Sequence, residues 1–398
     1  DEAKMTDEAI RCSKDLVRDY PKSTYALDAA FSIPMAYANA KKWDLAAQEY
    51  HNFIKMYQED KEKLIAAYIG AARAYMELKE EDKAIEDYRK TLEAYDKYGL
   101  QIKNADPGVP AEAAFYMGEH EYHKMDPIVL KGKEKDKAKI IKTLVEMLQK
   151  AMGHYSKSAA YASEKWTFRA TNKMGMLFVT MAAKIREQEM NAKKEDEKFA
   201  ERITIVQQLP SYYEQARPIF QKNIDLARDQ GFYNKDVIEA EEGYIEMFYQ
   251  GCAVSVEVAD AFANAPLPDS AAIVQEYIYE EMVKADAIEA AHEDLEAYRE
   301  ELMNKSNAAK ELAVPQCATG IKASAHYGID NQWTAKLFET LKSLDEANEV
   351  LATKIEKFDP STLFSDPSYF KTKARIEQIS KSEVMTPEEQ INTYRDII

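Results

Sequence analysis

Glycine and proline are scarce here, at 12 and 13 residues in a chain of 398. A many-stranded fold needs more turn-makers than that, and the apolar periods that do occur are mostly helical. Cysteine is scarcer. Cys12, Cys252 and Cys317 are odd in number, far apart and without metal-ligand spacing, and they read as buried or partly buried thiols. No apolar run approaches the roughly 18 residues of a membrane helix, so no direct membrane span is expected. Gly-rich phosphate loops, Gly-x-Ser-x-Gly turns and Cys-x-x-Cys motifs are all missing. These absences argue against an enzyme and against a cofactor. Paired carboxylates are no counter-argument, because 70 acidic residues make them inevitable.

The net charge of −17 disfavours nucleic acid and anionic membranes. It leaves neutral or basic proteins as partners. His120-Glu121-Tyr122-His123 invites a metal, but a zinc-protease helix spaces its histidines at i and i+4. These stand at i and i+3 with no third ligand, so they read as exposed helix residues and no metal is expected. The chain opens on Asp1 rather than Met, which leaves room for a signal peptide or an upstream region.

What the chain has in abundance is amphipathic helix. In residues 65–98, Tyr68, Ala71, Ala72 and Tyr75 share one helix face, as do Ala84, Tyr88 and Thr91 beyond the polar turn Lys79-Glu80-Glu81-Asp82. Small Ala72 and Ala84 let two helix axes approach closely, and tyrosines fill the space around that contact. Aligning the small residue of the second helix gives Ala9, Ala46 and Ala84, with spacings of 37 and 38 residues. One such hairpin cannot bury its apolar face alone, so neighbours are required. Pro34 stands in the small-residue slot of an earlier helix and should bend it.

These registers, with the helix-ending Tyr20-Pro21-Lys22-Ser23, resemble tetratricopeptide (TPR) repeats of bacterial cell-envelope proteins. The stretch ending ARDQGFYNKDVIEAEEGYIEM is similar to large TPR proteins of gliding-motility and envelope machines. The resemblance implies an all-α, TPR-type solenoid of helical hairpins, wound as a right-handed superhelix, with a divergent helical-repeat C-terminal half. Three segments are expected: TPR repeats over 1–98, TPR-like repeats with charged insertions over 99–205, and duplicated helical repeats over 206–398. It also implies a periplasmic or outer-membrane-associated scaffold, with the cytoplasm as the other option.

In such a superhelix the first helix of each pair lines a concave groove. Carrying the register over gives Phe31, Met35 and Asn39, then Ile69, Arg73 and Met76. Two further units, built on Ala114-Met117-Gly118 and Thr171-Met174-Gly175, add Phe115, Glu119 and Tyr122, then Arg169, Asn172 and Met176. Apolar, adaptable side chains beside a few charges suit protein ligands, here members of a multiprotein assembly. Some of these positions would instead pack under neighbouring repeats. The favoured function is a non-enzymatic interaction scaffold. The alternative is a glycan- or peptidoglycan-binding protein with Tyr155, Tyr161, Trp166, Tyr212 and Tyr213 as stacking platforms, against their use as core.

Two charged stretches, KGKEKDKAK at 131–139 and NAKKEDEKFAER at 191–202, interrupt the middle, the first read as a loop or the solvated start of a long helix. Beyond them Glu214, Ala216, Pro218, Gly231 and Asn234 match Glu311, Ala313, Pro315, Gly328 and Asn331 at a constant offset of 97 residues. Each copy predicts a helix that starts near Pro and ends at a left-handed Gly, then Asn capping the next helix. Between the copies, residues 270–312 form a long helix candidate with a seam at Ile288, Ala291, Leu295, Tyr298 and Leu302. Its acidic run over 276–301 reads as a solvated face. Thr386-Pro387-Glu388-Glu389 opens a final helix.

Overall fold

The computed structural model describes residues 2–231, 233–266 and 285–346. Every regular element among them is helical. The part of the acidic run before residue 285, and the Thr386 helix, lie outside the described residues; of the expected seam, Leu295 and Leu302 are buried. The chain divides into two compact units, Asp1–Ile128 with Lys142–Met174, and Val129–Ile141 with Gly175–Ile398. Neither expected segment end, at 98 or 205, coincides with that division.

In the first unit, helices α1 (Glu2–Asp19), α2 (Ala26–Asn39), α3 (Trp43–Met56), α4 (Lys61–Glu77), α5 (Glu81–Tyr98) and α6 (Gly108–His123) each pack on the next. α2 also touches α4, and α4 touches α6. The reason lies in α4, which is apolar on two faces. Ala67, Ala71 and Ala74 join Ala46, Tyr50 and Phe53 of α3 in one core cluster. Ile69 and Ala72 join Ala84, Tyr88 and Leu92 of α5 and Ala113 and Ala114 of α6 in another. Ala46, Ala72 and Ala84 are fully buried where the registers place a small residue. Ala9 is not: it is exposed, and Ile10 is the buried residue of α1. α1 precedes the stack, so its buried face is turned to α2.

The two hairpin turns repeat one another. Lys41 and Lys79 both adopt left-handed backbone, φ 55° and 59°. Behind them Lys42 N–H donates to Tyr37 O and Glu80 N–H to Tyr75 O, both at 2.9 Å. This is the Schellman closure, made here without glycine. α2 runs on through Pro34, which is buried inside it.

Helices α7 (Glu134–Ala160) and α8 (Glu164–Arg186) follow, and the division between the units falls within each. The first charged stretch is indeed the start of α7, but it is not simply solvated. Lys137 is 2% exposed and holds Glu134 at 3.1 Å and Glu201 at 3.3 Å. Glu201, from the second charged stretch, also accepts from the backbone N–H groups of Asn191 and Ala192. A buried ammonium is tolerable only when paired, so the two stretches clasp each other.

The second unit continues with α9 (Glu195–Val206), α10 (Leu209–Asp229), α11 (Lys235–Ala263), α12 (Ala285–Tyr327) and α13 (Gln332–Glu346). α11 is its centre, packed on α10, α12 and α13. The duplicated helix ends are present. Gly231 and Gly328 have φ 64° and 60°. Asn234 caps α11 through Val237 N–H, and Asn331 caps α13 through Trp333 and Thr334 N–H. The expected start near Pro is corrected, since Pro218 and Pro315 lie inside α10 and α12. Both prolines are exposed, and each helix continues past the one lost backbone bond.

Cys252 and Cys317 are buried, as expected, but joined: a disulfide ties α11 to α12 across 65 residues of sequence, Cα–Cα 5.3 Å. Cys12 is free and exposed rather than covered.

Candidate interaction site

The first unit carries most of the predicted groove positions. Arg73 of α4 donates from Nε and Nη2 to the two carboxylate oxygens of Glu112 on α6, each at 2.7 Å. The bidentate geometry is the strong form of an Arg–carboxylate pair. Nearby, the Tyr88 ring stacks on Tyr116 at 5.1 Å, and burial pushes its hydroxyl far above its ordinary range. Farther along α6, Glu119 accepts from the Tyr155 hydroxyl of α7 and from Lys173 Nζ of α8 at 3.0 Å. Lys173 in turn lies 5.3 Å over Tyr122, and Arg169 5.6 Å over Trp166. A chain of charged hydrogen bonds and cation–π contacts therefore links α4, α6 and α8 within this unit.

The twelve positions divide by burial. Met35, Asn39 and Arg73 are exposed. Phe31, Met76, Glu119, Tyr122 and Arg169 are half-buried, Phe31 because its ring packs edge-on against Tyr50 and Phe53. Ile69, Phe115 and Asn172 are buried and belong to the core instead of a surface. Ile69 fills the α4–α5 cluster, and Phe115 sits 5.1 Å from Trp166 and 5.7 Å from Tyr155. Met176 is exposed but lies in the second unit.

Of the five aromatic platform candidates, Tyr155, Trp166 and Tyr213 are buried, their faces covered by other side chains. Tyr161 donates its hydroxyl to Asp96 at 2.9 Å, and Tyr212 is half-buried. His120 hydrogen-bonds Glu81 of α5 at 2.7 Å, and His123 is exposed. Among the described residues no three His, Cys, Asp or Glu side chains converge as metal ligands, and no helix is long and apolar enough to cross a membrane.

In the second unit a concavity of about 510 Å³ is lined by Arg202, Tyr249, Glu257, Asp260 and Thr340. Glu257 holds Arg186 at 2.7 Å and Arg202 at 2.9 Å, so both guanidinium charges are already met. Sequence reading missed Glu112, whose signal was only an acid on an otherwise apolar helix start. No family model matches the chain, and no curated protein matches it significantly.

Proposed function

We propose that this chain is a non-enzymatic protein-interaction scaffold of the TPR type, working in an oxidising envelope compartment. The observation that carries the interaction reading is the exposure of Met35 and Asn39 on α2 and of Arg73 on α4. Arg73 is held in place by Glu112 yet leaves half its side chain to solvent. Arg and Met are both enriched at protein interfaces. Support for the repeat reading comes from the matching turns at Lys41 and Lys79 and the small residues at the helix contacts. Support for the compartment comes from the disulfide, since such bonds persist outside the reducing cytosol.

The test is site-specific photo-crosslinking in the native cells. A crosslinker at Met35 or Asn39 should capture one defined partner, and the same group at the fully exposed Leu100 should not. Equal capture from all three positions, or none from Met35 and Asn39, would end the reading.

A further inference from the structure

Arg217 is a half-buried arginine whose Nε the protein leaves without a hydrogen-bond partner. Arg73, Arg186, Arg202 and Arg228 each hold a carboxylate or a backbone carbonyl. Arg217, on α10, does not: its Nε is sealed from solvent and has no hydrogen-bond partner. The guanidinium rests 4.2 Å from the centroid of the Phe248 ring of α11, a cation–π contact that offers the Nε–H no acceptor. Buried donors without acceptors are rare in native proteins and cost more when the group is charged. Burial accordingly pushes the Arg217 guanidinium below its ordinary range, and the negative charge of Glu214 opposes that push.

A cavity of about 220 Å³ opens beside it between α10, α11 and α12. Its apolar walls are Phe248, Pro210 and Pro315, and Gly251 forms part of its lining. Gly251 is buried, yet a Cβ built on it meets nothing within 4 Å. The space is thus kept open by the absence of a side chain. Gln316 also lines the cavity, its Oε1 held by the Ser255 hydroxyl at 2.7 Å, which leaves its amide nitrogen as a second donor. Glu214 lines it too and is exposed to solvent.

The geometry points to a binding site for a small organic monocarboxylate with a flat apolar body. The carboxylate takes the charge-assisted hydrogen bonds that the cavity-lining Arg217 guanidinium can donate, and the body packs against Phe248 and the two prolines. Glu214 sets the charge preference, because its own negative charge disfavours a dianion such as phosphate. The site lies in the second unit and stands or falls independently of the α2–α4 surface.

Benzoate is the probe, and the Arg217 Nε–H resonance, assigned by its loss in Arg217→Lys, is the readout. Benzoate should shift that resonance saturably at millimolar concentration. The neutral isostere benzamide should not, and phosphate should bind at least about tenfold more weakly. Arg217→Gln should weaken benzoate by at least about tenfold, the factor expected for losing a charge-assisted pair, as read by calorimetry. Gly251→Leu should abolish binding by filling the space. If that variant fails to fold, the comparison of benzoate with benzamide on the unaltered protein decides alone. No saturable shift with benzoate, an equal response to benzamide or phosphate, or binding undiminished in Arg217→Gln would overturn the assignment. So would capture of acidic peptides in place of benzoate, which would make the site a protein-docking pocket.

Discussion

The ring of Phe220, on α10, lies against the bare backbone of Gly175 on α8. A Cβ placed on Gly175 would come within 2.5 Å of the ring, and one on Gly243 of α11 within 2.8 Å. Phe220 is 1% exposed, so the ring is held between two glycines with no room to retreat. Gly to Ala inside a helix ordinarily stabilises by about 0.5–1 kcal/mol. Overpacking a closed core costs about 1–3 kcal/mol, so Gly175→Ala should lower the urea midpoint. Gly153→Ala on α7, where a Cβ meets nothing within 4 Å, should raise it. Equal shifts in the two variants would mean that the wedge carries no energy.

Much of this fold was readable in the sequence because helical period and small-residue spacing are local signals. Ala46, Ala72 and Ala84, the capping Asn234 and Asn331, and the left-handed Gly231 and Gly328 all stand where the pattern places them. What escaped depends on which distant groups meet. The Cys252–Cys317 bond closes over 65 residues, and nothing in the intervening sequence marks it. Lys137 sits in a run that looks solvated, and its burial is tolerable because Glu134 and the distant Glu201 both pair with it. Ile69 and Phe115 had the spacing of groove residues, but α4 and α6 are packed on more than one side. Arg217 was legible as a cation, but its lack of a partner exists only in three dimensions.

Arg73 and Glu112 should respond unequally to removal. Glu112 is only 10% exposed at its side chain, and Arg73 is 54% exposed. Arg73→Gln strands a buried carboxylate, whereas Glu112→Gln leaves a guanidinium that water can still reach. The first should cost about 1–3 kcal/mol and the second clearly less. Denaturant titration of both single variants and the double variant would measure the asymmetry. Equal costs would show that the carboxylate is solvated after all.

Glu241 should make stability fall as pH rises. Its carboxyl, on α11, is 6% exposed, and burial pushes it up to about 7 even though the Tyr233 hydroxyl donates to it at 2.8 Å. A group with a raised folded-state pKa binds its proton more tightly in the native state. Its contribution is therefore fully present below the unfolded value of 4.5 and is lost as pH climbs through about 7. The loss amounts to roughly 3 kcal/mol. Glu241→Gln should gain about that much at pH 8 over the unaltered protein and almost nothing at pH 4. A variant whose advantage is the same at both pH values would refute the assignment.

The Cys252–Cys317 bond gives the last prediction, because it bears on stability and compartment together. Both sulfurs are fully buried, and their Cα separation of 5.3 Å lies within the range a disulfide spans without moving backbone. Cross-linking a loop of that length restricts the unfolded chain by about 4 kcal/mol in the chain-entropy model. Reduction should therefore lower the unfolding midpoint of the second unit, and Cys252→Ala with Cys317→Ala should reproduce the loss without reductant. Cys12, exposed on α1, takes no part. Protein purified from native cells, denatured without reductant and alkylated, should carry one label by mass spectrometry, and three after reduction. Three labels before reduction would show the thiols free, and would remove the support that the bond lends to an oxidising compartment.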